Sequence, residues 1–164
     1  MRDFLKPDLC FSGVAEISFE KLKEMGVEFI LLDLDNTLIN MYRELKDSIA
    51  MWVETAKSKG FKVYILSNTN KVDKVSTVAD KLNIRYIHSA RKPFKKGFIK
   101  AINEFKIVPE HTAMVGDQLF TDVIGANMMN MISVYVDPIS EKEHWYTSWK
   151  RPIEAWFLKK YQNM

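Results

Sequence analysis

The chain has 164 residues, of which 47% are hydrophobic and 27% charged, and its formal net charge is +3. This composition is typical of a globular protein, and the charge is too small for a general nucleic-acid binder, so we expect no specific nucleic-acid partner. No apolar run has the length of a membrane span, and the N-terminus lacks the apolar segment of a secretory signal. The single cysteine, Cys10, cannot form an internal disulfide, which favours a cytoplasmic location.

Strands and helices alternate along the predicted chain. Residues 1–17 show little periodicity and predict an ordered arm or loop. Helical spacing of apolar residues predicts helices over residues 19–25, 45–59, 71–82, 95–105 and 119–129. Apolar runs predict strands over residues 27–32, 61–66, 84–88, 112–115 and 132–136. This order is typical of an α/β fold with a doubly wound, Rossmann-like parallel sheet flanked by helices, and we expect one domain over residues 1–164.

Polar residues follow the ends of four predicted strands. In chain order they are Asp33 and Asp35, Ser67 and Asn68, Lys92, and Asp117 with Asp122. Because the carboxyl ends of parallel strands share one edge of the sheet, we expect these side chains to converge there. Several carboxylates in one cleft repel each other unless a cation neutralises them, and oxygen ligands favour Mg²⁺. A lysine and a hydroxyl beside them would bind phosphate oxygens.

The two carboxylates after the first strand have the chemistry for phosphoryl transfer. An aspartate such as Asp33 is a competent nucleophile toward phosphorus and forms an aspartyl-phosphate. Asp35 could protonate the leaving oxygen and then activate water. Lys92 and Mg²⁺ would stabilise charge on the transferring phosphoryl group.

Four segments together resemble the motifs of the haloacid dehalogenase superfamily of phosphatases. They are DLDNTL, a second strand ending in SN, RKP before a helix, and GDQLFTD, and they lie in order within residues 27–137. The resemblance implies that Asp33 is the nucleophile and a metal ligand. It also implies that Asp35 is the general acid/base and binds Mg²⁺ through its backbone carbonyl. Thr37, in the same motif, is a candidate for binding the substrate phosphate.

The other three motifs supply the remaining site residues by the same resemblance. Ser67 matches the phosphate-binding hydroxyl, with Asn68 beside it, and Lys92 matches the third-motif lysine. Asp117 matches an acidic metal ligand, and Asp122 matches its partner, which acts through a bound water. The opening LKPDL, the short helix before Gly26 and the first and last motifs further resemble the YqeG-type subfamily, class IIIA, which includes relatives of phosphatidylglycerophosphate phosphatases.

The intervals between the motifs have no room for a cap domain. Residues 38–66 and 69–91 each accommodate only one helix and one strand. The predicted site is therefore open, which suits a substrate that supplies its own bulk, such as a lipid headgroup or a macromolecule. An open site also leaves the option that a second subunit covers it.

The C-terminal segment, residues 139–164, is predicted to be helical. It combines three Trp, two Tyr and one Phe with Lys and Arg. This mixture suits peripheral contact with a membrane–water interface. An ordinary terminal helix docked on the domain is the alternative.

The leading hypothesis is a Mg²⁺-dependent phosphatase that acts on a phosphomonoester, with phosphatidylglycerophosphate as the favoured substrate. A soluble metabolite or a macromolecule is the alternative substrate. A phospho-receiver signalling module is a hypothesis of another class, and Asp35 argues against it because a receiver needs no acid/base there. A non-catalytic scaffold would have no reason to keep the complete set of site residues.

Overall fold

A computed structural model of the chain describes residues 3–140 and, further on, Pro152, Trp156 and Lys159, which are helical and exposed. The remainder of the predicted C-terminal helical segment beyond Ser140 lies outside the described residues. Within the part that is described, each helix is too short or too polar to cross a lipid bilayer.

The described chain forms one parallel sheet with helices packed on it. The strands are β1 (Leu9–Phe11), β2 (Phe29–Leu32), β3 (Lys62–Leu66), β4 (Arg85–Ile87), β5 (Thr112–Gly116) and β6 (Ile132–Val136). The α-helices are α1 (Phe19–Glu24), α2 (Asp47–Ser58), α3 (Val72–Leu82), α4 (Lys95–Phe105) and α5 (Ile124–Met128). The strand order is β1-β6-β5-β2-β3-β4, and all pairs are parallel. The predicted doubly wound α/β sheet is confirmed.

Strand β2 lies at the centre of the sheet because both of its edges and both of its faces are covered. All four of its residues are buried, and it pairs with β3 on one side and β5 on the other. Ile30 and Leu32 pack into the cluster that contains residues of α1, α2 and α3. Phe29 and Leu31 pack on the opposite face with α4 and α5. The unbroken apolar run is thus the sequence of a strand enclosed by two helical layers.

The strand order places a topological switch between β2 and β5. The chain runs from β2 through β3 to β4 at one edge and then returns to β5 on the other side of β2. In open α/β sheets, ligands bind at the carboxyl edge beside such a switch. Asp33 follows β2 and Asp117 follows β5, so these two aspartates lie on neighbouring strands at that edge.

The prediction of an arm or loop over residues 1–17 is wrong at β1. This strand pairs with β6 at the sheet edge, with Leu9 opposite Val134 and Phe11 opposite Val136. The backbone N–H of Ser133 donates to Asp8 Oδ2 at 2.8 Å, which fixes the start of the pairing. A strand of three residues is too short to show a period, and its partner is distant in sequence, so local pattern does not reveal it.

The predicted helix over residues 119–129 is also modified. Its first part, Leu119–Val123, is a π-helical turn, and α5 follows it. The Val123 N–H donates to the Gln118 carbonyl at 3.4 Å, which is the wider spacing of a π turn. The turn brings Asp122 Oδ2 back to accept the Gln118 N–H at 3.2 Å.

Helix α4 approaches the preceding loop closely at Gly97. A Cβ at this position would lie 2.2 Å from the carbonyl oxygen of Ala90 and 2.8 Å from its carbonyl carbon. Ala90 lies two residues before Lys92 in the β4–α4 loop. The missing side chain at Gly97 therefore sets how near the helix comes to the loop that carries the lysine.

We predict that Gly97→Ala lowers the free energy of unfolding by about 1–3 kcal/mol, because backbone atoms must shift to admit the methyl group. Alanine favours a helix over glycine by about 0.8–1 kcal/mol, so without the clash the substitution would stabilise the protein. Urea unfolding of both proteins measures the difference.

Gly13→Ala is the matched control, since nothing lies within 4 Å of the Cβ that it would add. Its free energy of unfolding should stay within about 0.5 kcal/mol of the parent. A Gly97→Ala protein as stable as the parent would contradict the proposed close approach.

Candidate active site

Asp33 lies at the carboxyl end of β2 and is almost fully buried. Its backbone N–H donates to the Val115 carbonyl at 2.9 Å, which continues the β2–β5 pairing by one residue. Its side chain is 8% exposed, and Oδ1 accepts a charged hydrogen bond from Lys92 Nζ at 2.8 Å. A buried carboxylate is tolerated when it has such a partner.

The two charges of this pair affect each other's protonation. Burial raises the pKa of Asp33 to about 7, against the lowering effect of Lys92, and the nearby charges of Asp122 and Asp35 raise it further. Burial alone would lower the pKa of the Lys92 ammonium, but the carboxylates of Asp122 and Asp33 outweigh it and raise that pKa above its usual value. The two carboxylates therefore favour the charged form of Lys92 in the site.

Three buried carboxylates meet at this point. Oxygens of Asp33, Asp117 and Asp122 all lie within 4.8 Å of one another. Lys92 Nζ is 2.7 Å from Asp122 Oδ1, so one ammonium contacts two of the three carboxylates. The lysine compensates one negative charge of the cluster. Hard oxygen donors at this separation fit a divalent cation such as Mg²⁺, which would offset the remaining repulsion.

Three of the four predicted metal ligands have side chains that come together in the structure. Asp33, Asp117 and Asp122 form the cluster, whereas the carboxylate of Asp35 does not belong to it. The Thr37 hydroxyl donates to Asp117 Oδ1 at 3.1 Å. This contact orients an acidic residue of the cluster, which differs from the predicted contact between Thr37 and a substrate phosphate.

Asp35 points to the outer side of the site. Its side chain is 44% exposed and forms an ion pair with Lys74 in the first turn of α3. Beside this pair, Arg43 Nη1 is 2.8 Å from Asp73 Oδ2. The two ion pairs join the loop after β2 to the start of α3. Lys74 was not among the predicted site residues. Its place in the first turn of the helix after β3 is the only sequence feature that would have indicated a role in the site.

Ser67 and Asn68, which follow β3, have different surroundings. Ser67 is buried, and its hydroxyl oxygen accepts the Thr69 N–H at 3.2 Å, so the hydroxyl can still donate. Asn68 Oδ1 accepts the backbone N–H of Lys92 at 2.6 Å, and Asn68 Nδ2 donates to the Lys92 carbonyl at 3.0 Å. Both ends of the amide thus hold the Lys92 backbone, which favours a positioning role over the predicted phosphate contact.

Gly116, the last residue of β5, is required by the position of Asp122. A Cβ on Gly116 would lie 2.1 Å from Asp122 Oδ2 and 2.6 Å from Asp122 Cβ. No role was predicted for Gly116 from the sequence. Its place directly before Asp117, at the start of the GDQLFTD motif, is the feature that could have indicated one.

The mouth of the site has no cover among the described residues. The chain passes from β2 through a loop into α2, and from β3 through the short loop of residues 67–71 into α3, with no inserted domain in either interval. The predicted absence of a cap therefore agrees with the described structure, and the carboxyl edge beside Asp35 is open to solvent.

Known proteins are similar to this chain in sequence and in fold. The family model of haloacid dehalogenase-like hydrolases matches residues 39–130, which is more than half of the chain. YqeG of Bacillus subtilis, a probable phosphatase, is 35% identical over 159 residues, covering 96% of this chain and 92% of that protein. Phosphatidylglycerophosphate phosphatase 1 of Arabidopsis thaliana, chloroplastic/mitochondrial, is 27% identical over 158 residues, covering 87% of this chain and 43% of that protein.

A solved structure shows the same fold at low sequence identity. A predicted HAD-like family hydrolase from Porphyromonas gingivalis superimposes with a TM-score of 0.57 at 14% identity, covering 78% of this chain and 98% of that one. The family match and the relative at 35% identity carry the assignment of the sequence. The chain belongs to the haloacid dehalogenase-like hydrolases.

Proposed function

We propose that this hydrolase is a Mg²⁺-dependent phosphatase that cleaves a phosphomonoester through an aspartyl-phosphate on Asp33. The observation that carries the proposal is the buried contact of Asp33 with Lys92 at 2.8 Å, next to Asp117 and Asp122. This arrangement holds a nucleophilic carboxylate beside a fixed positive charge at the open edge of the sheet. Both features are what phosphoryl transfer requires.

In the first proposed step, a carboxylate oxygen of Asp33 attacks phosphorus while the bond between phosphorus and the ester oxygen breaks. The Asp35 carboxyl gives its proton to the leaving oxygen. Its side chain is 44% exposed at the mouth of the site, where a leaving alcohol would depart. The Lys92 ammonium and the Ser67 hydroxyl stabilise charge on the phosphoryl oxygens.

In the second step, the Asp35 carboxylate removes a proton from water, and the water oxygen attacks phosphorus. The bond between phosphorus and Asp33 breaks, so inorganic phosphate leaves and both aspartates return to their starting states. Mg²⁺, held by Asp33, Asp117 and Asp122, would supply positive charge against the phosphoryl oxygens in both steps. Thr37 keeps Asp117 oriented through its hydrogen bond of 3.1 Å.

The proposed substrate is a phosphomonoester on a lipid headgroup, with phosphatidylglycerophosphate as the first candidate. The open site supports this proposal because a headgroup at a bilayer surface supplies its own enclosure. The name of the Arabidopsis relative supports it as well. A soluble phosphorylated metabolite is the alternative substrate.

We predict that Asp33→Asn reduces hydrolysis of p-nitrophenyl phosphate to background, because an amide cannot act as the nucleophile. Asp35→Asn should lower kcat about 10²–10⁴-fold, the usual contribution of a general acid/base. In this variant water is no longer activated, so acid-quenched protein should carry phosphate on Asp33 by mass spectrometry.

Turnover by the parent should need added Mg²⁺ after treatment with EDTA.

Asp80→Asn is the control, since Asp80 is an exposed carboxylate further along α3. Its kcat should equal that of the parent. Sustained turnover by Asp33→Asn, or phosphate recovered on a different residue, would exclude the nucleophile assignment.

We predict that Asn68→Ala lowers kcat by up to about 10²-fold through a displaced Lys92, with a smaller effect on KM. Asn68→Asp keeps the acceptor for the Lys92 N–H but sets an oxygen against the Lys92 carbonyl, so we expect a loss of kcat similar to that of Asn68→Ala and little change in KM. If Asn68 instead touched the phosphate directly, the added negative charge would raise the KM of Asn68→Asp well above that of Asn68→Ala. Steady-state kinetics of both variants distinguish the two roles.

Asn70→Ala tests the same loop, since Asn70 is an exposed amide two residues further on. Its kcat and KM should match those of the parent. An equal loss in the Asn70 variant would mean that the loop as a whole, and not the contact with Lys92, is responsible.

We predict that phosphatidylglycerophosphate in mixed vesicles is hydrolysed with a higher kcat/KM than soluble sugar phosphates or nucleotides. Release of inorganic phosphate measures each reaction under the same conditions. A soluble metabolite that turns over while the vesicle-borne lipid is untouched would refute the lipid substrate and leave the phosphatase proposal standing.

A further inference from the structure

Large apolar side chains are exposed around the mouth of the site. Tyr42 is 73% exposed and Phe94 is 72% exposed, the two highest values for large hydrophobic residues within residues 3–140. Met41, next to Tyr42, is 47% exposed, and Val72, the first residue of α3, is 44% exposed. None of the four contributes to either face of the sheet core. Packing among the described residues does not account for their exposure, and exposed apolar side chains that cluster on one surface mark interaction sites.

These side chains lie in the segments that follow three strands, at one edge of the sheet. Tyr42 follows β2, Val72 follows β3 and Phe94 follows β4, and all three strands are parallel and adjacent. The Arg43–Asp73 ion pair at 2.8 Å holds the first loop against the second. The hydrogen bonds of 2.6 and 3.0 Å between Asn68 and the Lys92 backbone hold the second against the third. The loops thus form one surface around the entrance.

The same surface is basic. Exposed basic residues occupy the same three loops and the first turn of α4, and they are Arg43, Lys71, Arg91, Lys95 and Lys96. Arg43 is paired with Asp73, and Glu44 in the first loop is an exposed carboxylate, so the basic residues still exceed these two acidic ones by three. We call this surface the rim, and it consists of Met41, Tyr42, Arg43, Lys71, Val72, Arg91, Phe94, Lys95 and Lys96.

We infer that the rim docks on the surface of an anionic lipid bilayer. Basic side chains are attracted to anionic headgroups, and aromatic and apolar tips insert at the boundary between headgroups and acyl chains. The apolar residues of the rim lie in three separate segments and are interspersed with its basic residues. This mixture suits a soft interface better than the shaped surface of a partner protein, whose apolar anchors need matching pockets.

Docking in this way would turn the open site toward the bilayer. This consequence deepens the proposed function and rests on it, because only a phosphatase of lipid headgroups would gain substrate from the orientation. The docking itself does not depend on catalysis. Binding and hydrolysis are therefore measured separately, so that failure of one is distinguishable from failure of the other.

The test is co-sedimentation of the full chain with vesicles of phosphatidylcholine, with and without phosphatidylglycerol. We expect binding to the mixed vesicles and little binding to phosphatidylcholine alone. The double variant Tyr42→Ser, Phe94→Ser should bind about tenfold more weakly, and so should Lys95→Glu, Lys96→Glu. Unchanged thermal unfolding of these variants would show that they are folded.

Two controls carry equivalent changes away from the rim. Met51→Ser alters an apolar side chain on α2 that is 69% exposed, and Lys81→Glu alters an exposed charge at the C-terminal end of α3. Both should bind mixed vesicles as the parent does and hydrolyse p-nitrophenyl phosphate at the parental rate.

The inference is overturned if the parent does not sediment with mixed vesicles, or if the rim variants bind as well as the parent. It is also overturned if the parent binds polyglutamate but not the vesicles, and the rim variants lose this binding. The rim would then recognise an acidic polypeptide. If the parent binds the vesicles but does not hydrolyse p-nitrophenyl phosphate, the proposed function is contradicted and the docking inference stands.

Discussion

The structure of the site depends on one buried charge interaction, that of Lys92 with two aspartates. Its ammonium lies 2.8 Å from Asp33 and 2.7 Å from Asp122, on side chains that are each less than a tenth exposed. Removing such charges from water is unfavourable unless the geometry satisfies them closely. The surrounding chain supplies that geometry. Asn68 fixes the lysine backbone, and the absent side chains of Gly97 and Gly116 leave room for the loop and for Asp122.

The sheet explains why distant residues can build this cluster. Asp33 and Asp117 follow neighbouring strands at the switch point, so the register between β2 and β5 sets their separation. Lys92 comes from the loop after the edge strand β4, two strands away from β2, and reaches inward with its long side chain. Asp122 approaches from the other direction through the π turn. Rigid strands position Asp33, the proposed nucleophile, and the loops bring the compensating charges to it.

The sequence was sufficient for the features that local patterns encode. Apolar runs located the core strands, and polar residues after them located Asp33, Ser67, Lys92 and Asp117, because strand direction alone sends them to one edge. Features set by non-local contacts were missed. Strand β1 exists through its pairing with β6, and the contacts of Asn68 with the Lys92 backbone and of Lys74 with Asp35 depend on how loops meet. A side chain's type indicates what it can bind, but its partner is decided by the fold.

Because the described residues include no cap domain, the loops around the site have a role besides holding the site residues in place. Each segment after a site strand carries a buried polar residue of the site, and an exposed apolar side chain follows it along the chain. Lys92 is 4% exposed, whereas Phe94, two residues later, is 72% exposed. The burial of Lys92 follows from folding, since a buried lysine compensates the carboxylates. The exposure of Phe94 does not, because an exposed ring adds nothing to the core and promotes aggregation in water. Because the described residues include no cap, we propose that these outward residues recognise what carries the phosphate, and their chemistry suits a headgroup layer.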